Sequence, residues 1–324
     1  MAKDIVEMLC TIPSHGSPRI IGETVLAKCD NDRMARLSVR VKTMKEQARE
    51  AQGGGTWGPP EAAADWRRGA AARVQAFGPA TEMMLDLVKV ADGSRVLDVG
   101  AGAGDSTLVA AQRVGSSGRV LATDISTSML EIAAESARQA GLSNVDTRVM
   151  DAQRLDLEPD SFDAAVSRNC LMLIPDYQQA LTEIRRVLKP GGRFAAIVFS
   201  SPDRCPYLSI PHAIVFRVGR LAWPAPERFG EFRLGAPGIL EDAYRTAGFR
   251  EISVHTVPTR RRFPSLGEAM QYARGPLPLR ELMARLSDAE QEQAWAKIER
   301  ALAQFVGLNG YDSPCELLIG AGTK

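Results

Sequence analysis

The chain has 324 residues, 45% of them hydrophobic, enough for a sizeable core in one large domain with insertions or in two small domains. Forty basic residues against 39 acidic ones leave a net charge of +1, so no global field favours nucleic acid or an anionic membrane as a partner. No stretch approaches the roughly 18 uncharged apolar residues of a membrane span, and Cys10, Cys29, Cys170, Cys205 and Cys315 lack the spacing of a disulfide framework or zinc site. The expected location is therefore cytoplasmic.

Residues 1–51 carry many charges and little periodicity, and residues 52–60 hold three consecutive glycines and Pro59-Pro60, which neither helix nor strand tolerates. Residues 1–60 are expected to form an appendage and linker, and 61–324 the folded domain. Residues 61–77 are Ala-rich and predict a helix, with Pro60 beside its start. A second helix is predicted over 79–90, with Met83, Met84, Leu87 and Val88 on one face.

An alternation of apolar strands and amphipathic helices follows. Strands are predicted at Arg95–Val99, Arg119–Thr123, Asp146–Met150, Phe162–Ser167 and Phe194–Phe199, and helices at Thr107–Val114, Thr127–Ala140 and Tyr177–Leu188. Strands apolar on both faces and separated by helices describe a parallel sheet covered on both sides.

Residues 201–237 change character, with six prolines and the aromatics Tyr207, Phe216, Trp223, Phe229 and Phe232. So long a connection in an α/β chain is usually functional. A helix at 238–247, a strand at 249–257, helices within 265–306 and a last strand at 315–321 complete the pattern. The expected fold is α/β: a Rossmann-like, doubly wound, mostly parallel seven-stranded sheet with one antiparallel edge strand. Residues 61–77, 201–237 and 265–306 should form a helical cap over the core at 79–200. The run Arg260-Arg261-Arg262 reads as a solvated strand end, with a phosphate or partner contact as the alternative.

The most informative segment is Val96-Leu97-Asp98-Val99-Gly100-Ala101-Gly102-Ala103-Gly104-Asp105-Ser106-Thr107. A buried strand runs into a turn where glycines let backbone approach a ligand, and a helix then starts with its free N–H groups facing the same spot. A dinucleotide fingerprint wants G-x-G-x-x-G, whereas the spacing here is G-x-G-x-G. Asp98, just before the turn, would repel a pyrophosphate and suits a cationic ammonium group; the alternative is that it orients the turn's own amides.

In register with this turn, Val120–Asp124, Met150-Asp151-Ala152, Phe162–Asn169 and Arg186–Phe194 follow in order, and Asp124 lies 20 residues past Gly104. Over roughly residues 75–200 the chain resembles the class I S-adenosylmethionine-dependent methyltransferases, in the small-molecule branch that includes quinone-biosynthesis enzymes. The resemblance implies a methyl donor held by Asp98, Gly100, Ala101, Gly102 and Gly104. Asp124 would take the ribose hydroxyls, with Ile125 and Met129 beside it, Asp151 and Ala152 would meet the adenine, and Arg168 and Asn169 would close the far side. The quinone enzymes' signature would fall on Met172-Leu173-Ile174-Pro175-Asp176, where only the last residue matches, so the acceptor stays open.

No carboxylates stand at Ser167-Arg168-Asn169, so no catalytic metal is expected. His212 is the first candidate for a general base and Tyr207 the second, because both sit in the insertion after the fifth strand. The expected function is methyl transfer to a small apolar or phenolic metabolite, at carbon or oxygen, by a chain that could act as a homodimer. An NAD-dependent oxidoreductase and a non-catalytic binding module of the same fold are the alternatives.

Overall fold

The computed structural model describes residues 69–222, 230–275 and 278–324. The expected appendage 1–60, the first part of the helix 61–77, and Trp223 and Phe229 lie outside them.

The first described helix, α1, spans Ala70–Leu87. The sequence predicts two helices here, separated near Gly78-Pro79, and the structure instead runs one helix through Pro79. Phe77, Ala80, Met84 and Leu85 are buried on one stripe, and the Thr81 hydroxyl donates to the Phe77 carbonyl at 2.9 Å. Packing along that stripe holds the helix together across the hydrogen bond that proline removes.

The alternation then unfolds as β1 (Arg95–Val99), α2 (Asp105–Val114), β2 (Arg119–Asp124), α3 (Thr127–Gln139), β3 (Val145–Val149), β4 (Phe162–Arg168), α4 (Tyr177–Val187) and β5 (Leu188–Phe199). β5 starts six residues earlier than expected. Lys189-Pro190-Gly191-Gly192 is drawn into it as an irregular first pair, with a register shift opposite Phe162 and Ala164. Gly191 has φ +78°, and a Cβ on Gly192 would approach the Lys189 carbonyl to 2.8 Å, so both glycines serve the backbone path.

After β5 come α5 (Pro206–Val218), α6 (Ile239–Thr246), β6 (Arg250–Phe263), α7 (Leu266–Ala273), α8 (Pro278–Met283), α9 (Asp288–Leu302), β7 (Val306–Gly307) and β8 (Gly310–Thr323). The proline-rich insertion thus holds a regular helix, with Pro206 in its first turn where no N–H is needed.

The sheet order is β3-β2-β1-β4-β5-β8-β6, with the short β7 pairing β8 as an eighth strand. β1 through β5 run parallel. β8 is antiparallel to both β5 and β6, so the antiparallel strand lies one position in from the edge. The order reverses at β1, between β2 and β4, and this is where an open α/β sheet leaves a crevice beyond its strand ends. Val96, Leu97, Ala164, Ala165, Val166 and Ala195–Val198 are buried, which explains strands that are apolar without alternation.

β6 and β8 are longer than predicted by six and five residues at the ends that pair with each other, Arg260–Phe263 against Tyr311–Pro314. β5 ends at Phe199 opposite Leu317, so this arm projects beyond the main sheet. It packs with α5, α7 and α9 into a second apolar cluster that includes Tyr207, Phe263, Met270, Leu279, Ile298 and Tyr311.

Candidate functional site

The ends of β1, β2 and β4 bring the predicted turn residues together. Gly100, Gly102 and Gly104 have φ of +69°, +56° and +89°, a conformation that side chains resist. A Cβ on Gly100 would sit 2.1 Å from the Cys170 sulfur, and one on Gly104 would sit 2.9 Å from the Ala133 Cβ on α3. The turn is therefore pressed between the segment after β4 on one side and α3 on the other. The amides of Gly100 and Ala101 donate to the Thr123 carbonyl, which ties the turn to β2.

Asp98 is fully buried. Its Oδ2 accepts from the Ser106 hydroxyl at 2.8 Å and the Thr107 hydroxyl at 2.7 Å, both in the first turn of α2. The carboxylate thus holds the helix start through hydroxyls and not through the turn's amides. Its Oδ1 has no hydrogen-bond partner among the described residues. Burial raises the Asp98 pKa above its ordinary 3.8, against the lowering effect of the two hydroxyls.

Asp124 ends β2. Its Oδ2 accepts from the Gly102 amide and its Oδ1 from the Ser126 amide, each at 2.9 Å. Burial raises its pKa, and these amides work in the opposite direction. The Ile125 amide is a third donor, so of the roughly four lone-pair positions of a carboxylate one is left for a sugar hydroxyl. Ser126 caps α3 by accepting from the Met129 amide, which leaves Asp124 free of that duty. Ile125 stands exposed beside it, while Met129 is buried under α3.

Asp151 follows β3 and binds its own neighbour, accepting from the Gln153 amide at 2.9 Å. Ala152 is half-buried next to it. Asn169 follows β4 with φ +54°, and its Oδ1 is buried without a partner among the described residues.

Arg168 is engaged by protein. Its Nη2 pairs with Asp105 at 2.7 Å, and Arg73 from α1 pairs with the same carboxylate through Nε at 2.7 Å. Burial would raise the Asp105 pKa, but Arg168 and Arg73 outweigh it and hold the group below 3.8. This buried triad locks α1 onto the first residue after the glycine turn. Arg73 and Asp105 were not singled out by the sequence, because nothing local connects positions 32 apart. Cys170 was missed as well; burial pushes its thiol up, so it packs as a neutral group against Gly100.

The two candidate bases fall elsewhere. Tyr207 is buried in the second cluster, donates its hydroxyl to the Ala269 carbonyl at 2.7 Å, and has its pKa raised well above 10 by burial. A neutral phenol so held is a poor proton acceptor, which favours His212 over Tyr207 as the candidate base. His212 lies on α5, with Nδ1 donating to the Leu208 carbonyl at 2.8 Å and Nε2 at 3.7 Å from the Glu231 carboxylate. A small cavity is lined by Tyr207, Leu208, Pro211, His212, Glu231, Ala273 and Leu279. Glu231 was missed because an acid among the prolines and aromatics of 201–237 carries no spacing that points to His212.

Against known proteins, the profile of a methyltransferase domain matches residues 91–212. Nocamycin O-methyltransferase of Saccharothrix syringae is 34% identical over 191 residues, which cover 55% of this chain and 67% of that protein. The chain belongs to the class I S-adenosylmethionine-dependent methyltransferases. Within that family it is 38% identical over 119 residues to the demethylmenaquinone methyltransferase of Listeria welshimeri, a match covering 37% of this chain. The chain spans about half the length of that relative. A putative methyltransferase of Bacillus halodurans superposes with a TM-score of 0.53 at 17% identity, over 76% of this chain and 99% of that one, which shows the shared fold. The family's donor is S-adenosylmethionine, so the dinucleotide alternative falls. Among the described residues no cluster of His, Cys, Asp or Glu is arranged to hold a metal ion, and no helix is long and apolar enough to cross a membrane.

Proposed function

We propose that the chain transfers a methyl group from S-adenosylmethionine to a small apolar or phenolic metabolite, at carbon or oxygen. The observation that carries this reading is Asp98, a buried carboxylate at the head of the glycine turn with one oxygen left over. Such a group repels a pyrophosphate and suits an ammonium. When bound, the donor supplies a sulfonium methyl whose S–C bond breaks with both electrons going to sulfur.

The residues then divide the remaining work. Asp98 Oδ1 accepts from the donor's ammonium, and the turn at Gly100, Ala101, Gly102 and Gly104 lets its chain lie against backbone. Asp124 accepts from a ribose hydroxyl with the lone pair that the Gly102, Ile125 and Ser126 amides leave open. Ile125 and Met129 flank the adenine, Asp151 and Ala152 border its edge, and Asn169 closes the crevice across from the turn. Arg168 acts indirectly, by fixing Asp105. Holding donor and acceptor in line accounts for most of the acceleration, since such positioning is worth about 7–11 kcal/mol in favourable cases.

An O–H acceptor loses its proton as the new bond forms, and His212 Nε2 takes it, the resulting imidazolium being met by Glu231 at 3.7 Å. The acceptor is a small molecule; the near-neutral charge supports that over nucleic acid. The free thiols of Cys170, Cys205 and Cys315 suit a cytoplasmic location.

Calorimetry tests the reading. S-adenosylhomocysteine should bind and NADH should not, and Asp124→Ala should weaken the former by at least about tenfold, the loss expected for charge-assisted hydrogen bonds. No heat with S-adenosylhomocysteine on folded protein would overturn it. His212→Gln should lower turnover of a phenolic acceptor by about a hundredfold while leaving that binding intact.

A further inference from the structure

The β6–β8 arm carries a buried cation that the proposed chemistry does not use. Period-2 alternation along β6 splits the arginine run. Arg260 and Arg262 point outward and share Asp312, whereas Arg261 points inward and is 5% exposed. The guanidinium carbon of Arg261 lies 5.1–5.5 Å from the ring centres of Phe77, Tyr207, Phe263 and Tyr272. No carboxylate pairs with it among the described residues.

Two buried hydroxyls share this face. Tyr311 and Ser313 on β8 are 1% and 0% exposed, and their hydroxyls face each other with no other hydrogen-bond partner among the described residues. Ser313 is the cross-strand partner of Arg261, and Tyr311 that of Phe263. A buried charge without a carboxylate partner is costly, and so are two buried hydroxyls that have only each other. Their convergence on one side of a single hairpin calls for an acceptor of hydrogen bonds with negative charge. The face is also tied to the donor crevice, because the Phe77 ring of α1 lies 5.2 Å from the Arg261 guanidinium and 6.0 Å from that of Arg168 at the end of β4.

We infer that Arg261, with Tyr311 and Ser313, binds an anionic oxygen of the methyl acceptor, a carboxylate or an ionised phenol or enol on an aromatic body. The guanidinium fork takes the charge. The inference rests on the methyltransferase reading and narrows its substrate class from apolar or phenolic to acidic aromatic.

The test uses the full chain saturated with S-adenosylhomocysteine and two probes of matched shape, 2-naphthoate and neutral 2-naphthamide. Naphthoate should bind at least about tenfold more tightly, the ratio that one charge-assisted hydrogen bond supplies. Arg261→Met should erase that ratio and Arg261→Lys should keep part of it, with S-adenosylhomocysteine affinity unchanged in both as the check on folding. Tyr311→Phe keeps the ring and removes one of the two hydroxyls. It should weaken naphthoate several-fold with S-adenosylhomocysteine affinity unchanged, a pairing that a packing role alone does not produce. Equal binding of the two probes, binding of neither, or a preference that survives Arg261→Met overturns the inference while leaving the donor site standing. Inorganic phosphate competing as well as naphthoate would also overturn it, by reducing the site to a simple anion hole. Failure of S-adenosylhomocysteine itself to bind would instead strike the methyltransferase reading.

Discussion

The donor crevice and the β6–β8 arm are both polar sites sunk in apolar surroundings, yet they solve the problem of buried charge differently. Around the crevice, ionised groups are matched within the protein: Asp105 takes two arginines, and Asp124 takes backbone amides. In the arm, Arg261 is met by ring faces, and its neighbouring hydroxyls have only each other. The first arrangement is matched from within except at Asp98 Oδ1 and Asn169 Oδ1, which have no partner among the described residues. The second leaves interactions to be completed from outside, which is how a site tuned to one partner differs from a scaffold.

Removing a charge from each region should break this comparison in opposite ways. Asp105→Ala leaves two buried arginines facing each other and should cost about 3–5 kcal/mol, read as a shift in the denaturant midpoint. A loss under 1 kcal/mol would show that the triad is not structural.

Gly100→Ala comes next. It places a side chain in a left-handed residue and into the Cys170 sulfur, and should cost about 2–4 kcal/mol. The double change Gly100→Ala with Cys170→Ala should recover the steric share and leave the conformational one. Equal losses in single and double variants would remove Cys170 from the account.

Tyr207→Phe in the cap should cost only about 1 kcal/mol, the hydrogen bond to the Ala269 carbonyl. Turnover should fall far less than in His212→Gln; the reverse ranking would favour Tyr207 as the base.

The subtlest contrast is with pH. Asp98 and Asp124 have folded values raised above 3.8, so between 3.8 and those values the native state holds more protons than the unfolded chain. Their effect on stability therefore worsens as pH rises through that window. Asp105 behaves oppositely: its lowered value gives stability that is present above 3.8 and is lost as pH falls below it. Donor binding needs both raised carboxylates ionised. Affinity for S-adenosylhomocysteine should fall as pH drops through the raised values of the two carboxylates, by up to one proton per group. A pH-independent affinity down to 3.8 would remove Asp98 and Asp124 from direct contact with the ligand.

Much of the crevice was legible because its parts are local. Strand, glycine turn, helix start and the acid one strand later are each set by contiguous residues, and their spacing forces them to one sheet edge. Proline misled the reading at position 79, where the cost of a missing hydrogen bond is smaller than the burial of Phe77, Met84 and Leu85 on either side. The end of one strand was set too early, at 257, and the start of its partner too late, at 315. Arg260-Arg261-Arg262 looks solvated until a partner strand reveals that alternate residues face inward.

The wound sheet, the glycine turn and the acids beside it can be read from residues close in the chain, because each follows from short-range backbone preference and hydrophobic period. Long-range packing alone sets Asp105 against arginines from two distant elements, seats Tyr207 in the second apolar cluster, and encloses Arg261 in rings from α1, α5, β6 and α7. Those outcomes depend on side chains tens to hundreds of positions apart. Burial, which sets the sign and size of every electrostatic effect described, exists only once those elements have closed on one another.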